Sequence, residues 1–370
     1  MLKVTNSLLT GALMAPDTGY TQTSGPLPPQ YSGGQVDRYL TDLAVNDIEA
    51  DQDFIAPNVF PRVDVERDRG GFQVWNRGDL LRPEFRDHAY GDRPVQAHTR
   101  MNEGDYKVFH RSLERVIAPS DRASARNPMQ PEEDAALYLA GQARLDLDLR
   151  FTDVALRAEA GWAFQYQGVA ANPNQAADTP EFLQFDQPGV SPGRFVRSRA
   201  QRMKRMTGRA PNVALLGADV YASLVFNEDI VDRVKYVQRG IADQDLIAAY
   251  LGVERVYVAD GAYNKALEGL PDDFEYRVDP KSMLLTYAAP RPSRTTPSGG
   301  YMFVWRNLYQ AFEGGEEEAI ADTLVLLRRG RDSRSGVRWL QAHTAASFNI
   351  VAPDLGMYFS DVVAASAADY

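Results

Sequence analysis

Apolar residues recur along this chain with two periods, and the switches between them predict its elements. From Pro131 to about residue 157 they return every three or four positions: Leu137, Ala140, Ala143 or Arg144, Leu147, Phe151 and Val154. That spacing predicts one long helix. Pro131 suits a first turn, where its missing N–H costs nothing, and Glu132, Glu133 and Asp134 lie at the positive end of the helix dipole. About 26 residues at 1.5 Å each would span roughly 39 Å, which suits a spine element. Gly161-Trp162 is its expected end. Shorter helices are expected at 37–50 (Leu40, Leu43, Ile48), at 192–207 (Val196, Ala200, Met203, Thr207, stopped by Gly208), at 217–224 and at 243–252. Short apolar runs at 212–216, 256–259, 283–287 and 301–305 read as strands, and the tail from 328 to 363 alternates like strand. Residues 163–190 hold clusters of Pro, Asn and Gly and read as loop.

Two stretches fit neither period. Residues 1–36 are rich in Gly, Pro, Ser and Thr and read as an extended arm. Their first fifteen residues faintly resemble a signal peptide, but Thr5, Asn6, Ser7 and Thr10 interrupt the apolar part, so a surface arm is the better reading. Residues 64–110 hold two β-prone runs, 72–75 and 106–109, around some 30 mostly polar residues. From Arg67 to Lys107 there are eight basic and seven acidic groups. Such a segment cannot bury a core, and a lone two-stranded ribbon is marginal in water. It is either a solvated insertion or a ribbon lying on another surface.

Composition then removes whole classes of function. At 44% hydrophobic and 24% charged the chain is an ordinary globular sequence, not a disordered one. Its 370 residues suggest two domains at about 150 residues each. The net charge of −10 argues against a main role in gripping nucleic-acid phosphates. With no cysteine, disulfides, thiolate metal sites and cysteine nucleophiles are excluded. No apolar stretch approaches the 18 or so residues of a membrane helix. Arginine outnumbers lysine 34 to 6. Arginine's planar, bidentate pairing suits interfaces, though a GC-rich genome explains the bias equally well.

No Walker loop, GxGxxG, HExxH, GxSxG or EF-hand pattern occurs. The acidic run from Glu313 to Glu318 lacks the spacing of a cation cage. His88, His98 and His110 fall 10 and 12 residues apart, which matches no metal signature, and His343 is remote. No catalytic, cofactor or metal residue is therefore assigned. Arg194 to Arg209 holds seven basic groups, no acid and one aromatic, Phe195. That is a poor nucleic-acid platform and reads as a solvated or subunit-facing helix side.

Five segments, in order, resemble the major capsid proteins of tailed double-stranded DNA bacteriophages, the Hong Kong 97-type fold. They are 54–63 (FIAPNVFPRV), 208–220 (GRAPNV with LGADV), 230–264 (IVDRVKY, LGVERVYV and AYN), 296–305 (TPSGGYMFVW) and 351–361 (VAPDLGMYFSD). The resemblance spans residues 54–361. It implies an α+β fold with an N-terminal arm (1–60), an extended β-hairpin loop (61–110), a peripheral domain with the spine helix (111–189), an axial α/β domain (190–327) and a return to the peripheral domain (328–370).

The resemblance also implies a structural role in the virion capsid: self-assembly in the host cytoplasm into hexamers and pentamers of an icosahedral head enclosing DNA without sequence-specific binding. Implied partners are copies of itself, a scaffolding protein, a portal and a decoration protein. No membrane and no cofactor is implied. On the extended loop the expected inter-subunit contacts are Trp75, Arg77, Arg82, Arg86, Arg93 and Arg100. Some relatives cross-link through a lysine in this loop; residues 66–106 hold none, so no such bond is expected. No long helical scaffolding segment is apparent, so assembly would rely on a separate scaffold or on the shell protein itself. The alternatives are an encapsulin-like cargo shell of the same fold and a soluble α/β enzyme, which would require a pocket of converging perturbed groups.

Overall fold

The computed structural model describes residues 35–37, 39–41, 43–44, 54–87, 90, 93, 96–98, 100–124, 130–157, 160–174, 176, 179–235, 244–291, 293, 296–308, 324–332 and 336–364. The arm before residue 35, His88 and the acidic run 313–318 lie outside them. The described residues form two six-stranded sheets and two two-stranded ribbons.

One sheet has the order Glu181–Leu183, Phe164–Val169, Gly356–Ser360, Met283–Thr286, Val213–Gly217, Arg255–Ala259. Its middle strand, Met283–Thr286, is antiparallel to both neighbours, and the flanking pairs are parallel. Both faces are covered, which is why 213–216 is an unbroken apolar run. Val213, Leu215, Leu284 and Tyr358 face the core that holds the spine helix. Ala214, Leu216, Met283, Leu285, Met357 and Phe359 face the opposite core, with Val196 and Met203 of the helix Pro192–Thr207.

The other sheet runs Gln35–Val36, Leu326–Arg331, Arg338–Ile350, Gly300–Trp305, Arg62–Val65. His110–Ile117 pairs with the free side of Arg338–Ala345. The spine helix, Pro131–Ala155, packs across Arg338–Ile350. At 25 residues it spans about 37 Å. It starts where Pro131 predicts, but its buried face runs through Ala135, Ala136, Leu139, Ala140, Ala143, Leu147 and Phe151. Leu137 is instead 36% exposed. Alanine lets the helix lie close to the sheet, and this small-residue stripe carries a weaker apolar signal than the leucines beside it. The helix stops at Leu156, ahead of Gly161-Trp162.

Three readings change. Residues 163–190 contain two strands. Phe164–Val169 alternates buried positions with less buried ones, and Gly168 lies against the Asp361 backbone where no Cβ fits. Gly300–Trp305, expected with residues 190–327, pairs with Ser347 and its neighbours in the sheet under the spine helix. The tail, expected to return beside the spine, divides: Arg338–Ile350 does so, while Gly356–Ser360 crosses to the other sheet. Pairing partners this distant in sequence are not set by local pattern.

Candidate functional site

The charged stretch after residue 64 folds as a ribbon, Arg69–Trp75 paired antiparallel with Met101–Lys107. Its base is built from two glycine–aromatic cross-strand pairs. Tyr106 lies over Gly70, and Phe72 lies over Gly104; a side chain at either glycine would meet the ring. Both rings then stack on Phe303 of the sheet below, with centroids 5.8 Å (Phe72) and 4.7 Å (Tyr106) away. The Asn349 amide donates to the Asp105 carbonyl at 3.1 Å, and the Trp305 indole N–H donates to the Glu66 carbonyl at 3.1 Å. The ribbon is thus rooted in the protein at one end and mostly exposed beyond it.

Past the last ribbon pair, Asn76 N–H donates to the Arg100 carbonyl at 2.8 Å and the helix Arg77–Leu80 follows. Asp79 on this helix is the knot. Its side chain is 2% exposed. It accepts from the Arg100 guanidinium at two 3.1 Å contacts and from the Arg100 backbone N–H at 3.0 Å. Arg82 lies 3.3 Å away. The Arg100 side-chain and backbone bonds, with Arg82 adding, hold the Asp79 carboxyl at about 2. The sign follows: a depressed carboxylate contributes stability present above its ordinary pKa, near 4, and lost as pH falls through about 2. Asp79→Asn should therefore expose 76–100 to limited proteolysis several-fold faster at pH 7. Wild type should acquire the same sensitivity only below about pH 4. Equal cleavage of variant and wild type at pH 7 would refute the clamp.

Of the six ribbon residues expected at an interface, Trp75 ends a strand opposite Met101 and Arg77 opens the short helix. Arg82 and Arg100 are tied to Asp79 within the chain, though both remain mostly exposed. Arg86 and Arg93 are exposed and make no ion pair among the described residues. The structure adds three residues that the arginine reading missed. Leu81 lies against Gly208 yet is 58% exposed. Phe85 and Tyr90 are fully exposed. Their signal in the sequence was apolar residues in a stretch that builds no core.

His110 and His343, remote in sequence, come together across paired strands, Nε2 to Nδ1 at 3.0 Å, with stacked rings. Burial, then His110 and Arg328, push His343 down to about 4, and burial lowers His110. Two neutral imidazoles sharing a proton suit a structural contact at neutral pH. Among the described residues no group of three His, Asp or Glu side chains could hold a metal ion, and no helix is long and apolar enough to cross a membrane.

A cavity of 620 Å³ opens at the N-terminal end of the helix Pro192–Thr207, between 185–191 and 222–229. Its lining includes Asp186, Glu228 and Asp229 and no basic residue. Asp229 is fixed by the Ser191 hydroxyl and by the Tyr250 hydroxyl, which donates at 3.3 Å.

A sheet covered on both faces, a second sheet under a long spine helix and a rooted ribbon make an α+β fold that recurs among solved structures. The solved structure of a phage-related protein from Bordetella bronchiseptica superposes with a TM-score of 0.64 at 17% identity, covering 90% of this chain and 99% of that one. A virus-like particle protein from Pyrococcus furiosus superposes at 0.50 with 8% identity, over 87% and 98%. No family model matches the sequence. The major capsid protein of Burkholderia phage BcepMu is 26% identical over 232 residues, 62% of this chain and 70% of that protein. The chain thus shares its fold with these phage-related and virus-like-particle proteins, and over 232 residues its sequence is similar to that of a phage major capsid protein.

Proposed function

We propose that copies of this chain close into hexamers and pentamers of an icosahedral head that encloses double-stranded DNA. The observation that supports this best is the ribbon. It is anchored at its base, locked at its tip by Asp79 and Arg100, and carries exposed Leu81, Phe85 and Tyr90 beyond any core of its own. Apolar side chains held out on an ordered, charged ribbon gain stability when a second surface covers them. Trp75, Arg77, Arg82, Arg86, Arg93 and Arg100 are the charged and aromatic positions we assign to that contact, with Arg100 acting through the clamp. Repeated unlike contacts of this kind close around symmetry axes, and ion pairs set their register more than their affinity.

The mechanism is distributed binding without a catalytic centre. The net charge of −10 lets DNA pack without adhering to the wall; a strongly basic inner surface in assembled particles would contradict this. A scaffolding protein, a portal and a decoration protein are proposed partners, and assembly takes place in the host cytoplasm. The test is negative-stain microscopy with light scattering on purified chain, with and without co-expressed scaffold candidates. Closed shells, sheets or rings of five and six are expected. A stable monomer or dimer under every condition would overturn the reading. Particles loaded with a partner protein instead of DNA would favour a cargo compartment.

A further inference from the structure

The helix Pro192–Thr207 carries opposite chemistry at its two ends. At its N-terminal end is the acidic cavity of 620 Å³, with Asp186, Glu228 and Asp229 in its lining and Phe226 at its edge, 80% exposed. At its C-terminal end lie the exposed Lys204, Arg205 and Arg209, the last with its guanidinium over the Tyr287 ring, and Met206, which is 56% exposed. Residues 194–209 contain no acid. Lys204 and Arg205 make no ion pair among the described residues. Leu81 covers Gly208 at this end and leaves Met206 and its basic neighbours open. From Ser191 to Lys204 is thirteen residues, so the two patches stand about 20 Å apart along the axis.

We propose that the basic end of this helix in one copy docks on the acidic cavity of the next copy, with Met206 entering the opening beside Phe226. The proposal rests on the shell reading and names a surface for it. A second copy is the occupant because the complement to each patch lies on the same chain. A polyanion would meet the basic end but has no use for the acidic one, and the chain's net charge of −10 opposes it. The patches sit at opposite ends of one rigid element, so pairing is head to tail. That is the arrangement that closes a ring or extends a chain and does not stop at a dimer. The contact has an apolar anchor with complementary charges around it, the form in which anchors supply affinity and charges supply orientation.

The test uses charge reversal at two exposed positions, Arg205→Glu and Glu228→Arg, singly and together in the full chain. Self-association is followed by sedimentation and microscopy, and folding by circular dichroism. Each single variant should melt like wild type and associate at least about tenfold more weakly, while the double variant, complementary again, should recover to within about threefold. A one-to-one mixture of the singles regains the contact only when the two alternate, so it should form even-membered rings and no five-membered ones. Singles that assemble like wild type, or a double variant no better than either single, would overturn the docking and leave the shell reading standing. Wild-type chain that never assembles would overturn both. DNA binding lost in Arg205→Glu with self-association unchanged would assign the basic end to nucleic acid instead.

Discussion

Replacing Arg277 with alanine should lower stability at pH 8 by about 3–5 kcal/mol, because it strands a buried carboxylate. The partner is Asp148, near the C-terminal end of the spine helix, 2.9 Å from the Arg277 guanidinium, with both side chains almost completely buried. Asp148 also accepts from the Ala56 N–H at 3.4 Å, so one carboxylate joins the spine, the segment that leads into the strand Arg62–Val65, and the stretch before Met283–Thr286. Burial outweighs Arg277 and pushes the Asp148 carboxyl up to about 6. A raised carboxyl contributes stability that is complete below its ordinary value, near 4, and is lost as pH rises through about 6. Without Arg277 the carboxyl rises further and takes up its proton, so the penalty should shrink markedly at pH 5. Urea unfolding at pH 5 and pH 8 checks this. A loss that is the same at both values would mean that lost packing, not stranded charge, is the cause. Asp148→Asn with Arg277→Met removes both charges and should recover most of the loss at pH 8.

The sequence was informative where structure is local. Pro131 and its three acids mark the start of the spine helix, and Gly208, at φ 74°, ends the helix Pro192–Thr207 where a left-handed residue is required. The run 213–216 reads as a buried strand because both faces of its sheet are covered. The ribbon was legible for a negative reason: a polar stretch between β-prone runs has no core to bury. What escaped was non-local. Phe164–Val169 and His110–Ile117 gain their strand character from partners at 357–360 and 338–345. The Asp79–Arg100 clamp spans 21 positions and the histidine pair 233, with no motif to announce either. At the candidate site, charge counting found the arginines but not Leu81, Phe85 and Tyr90. It also gave the basic helix side without the acidic cavity that complements it, since that cavity is assembled from two segments some thirty residues apart.

The segment 54–63 carried the first family resemblance, and its weight lies in one ring. Phe60→Ala should cost about 3–5 kcal/mol of stability at neutral pH. Phe60 is fully buried where the chain leaves the short helix Ala56–Val59, its N–H donating to the Ala56 carbonyl at 3.0 Å. The ring meets Phe151 of the spine helix edge-on at 5.1 Å, Trp162 at 6.2 Å and Phe348 of the long strand at 6.4 Å. It also lies directly over Gly300, where a side chain would strike it. One residue therefore joins the sheet, the helix above it and the tryptophan that leads into the other sheet. Truncation leaves a cavity that these partners cannot close, because Gly300 has no side chain to move in and Trp162 is held by its indole bond to the Ala155 carbonyl at 2.8 Å. Phe60→Leu fills part of the space and should cost less than half as much. Trp162 beside the cavity makes tryptophan emission a direct readout during urea unfolding, with the far-ultraviolet signal as the global one. A loss under about 1 kcal/mol would mean the site collapses freely and the ring is not the junction described. The same variant separates folding from assembly. Phe60→Ala should weaken shells and melt early together, whereas Arg205→Glu should weaken shells without moving the melt.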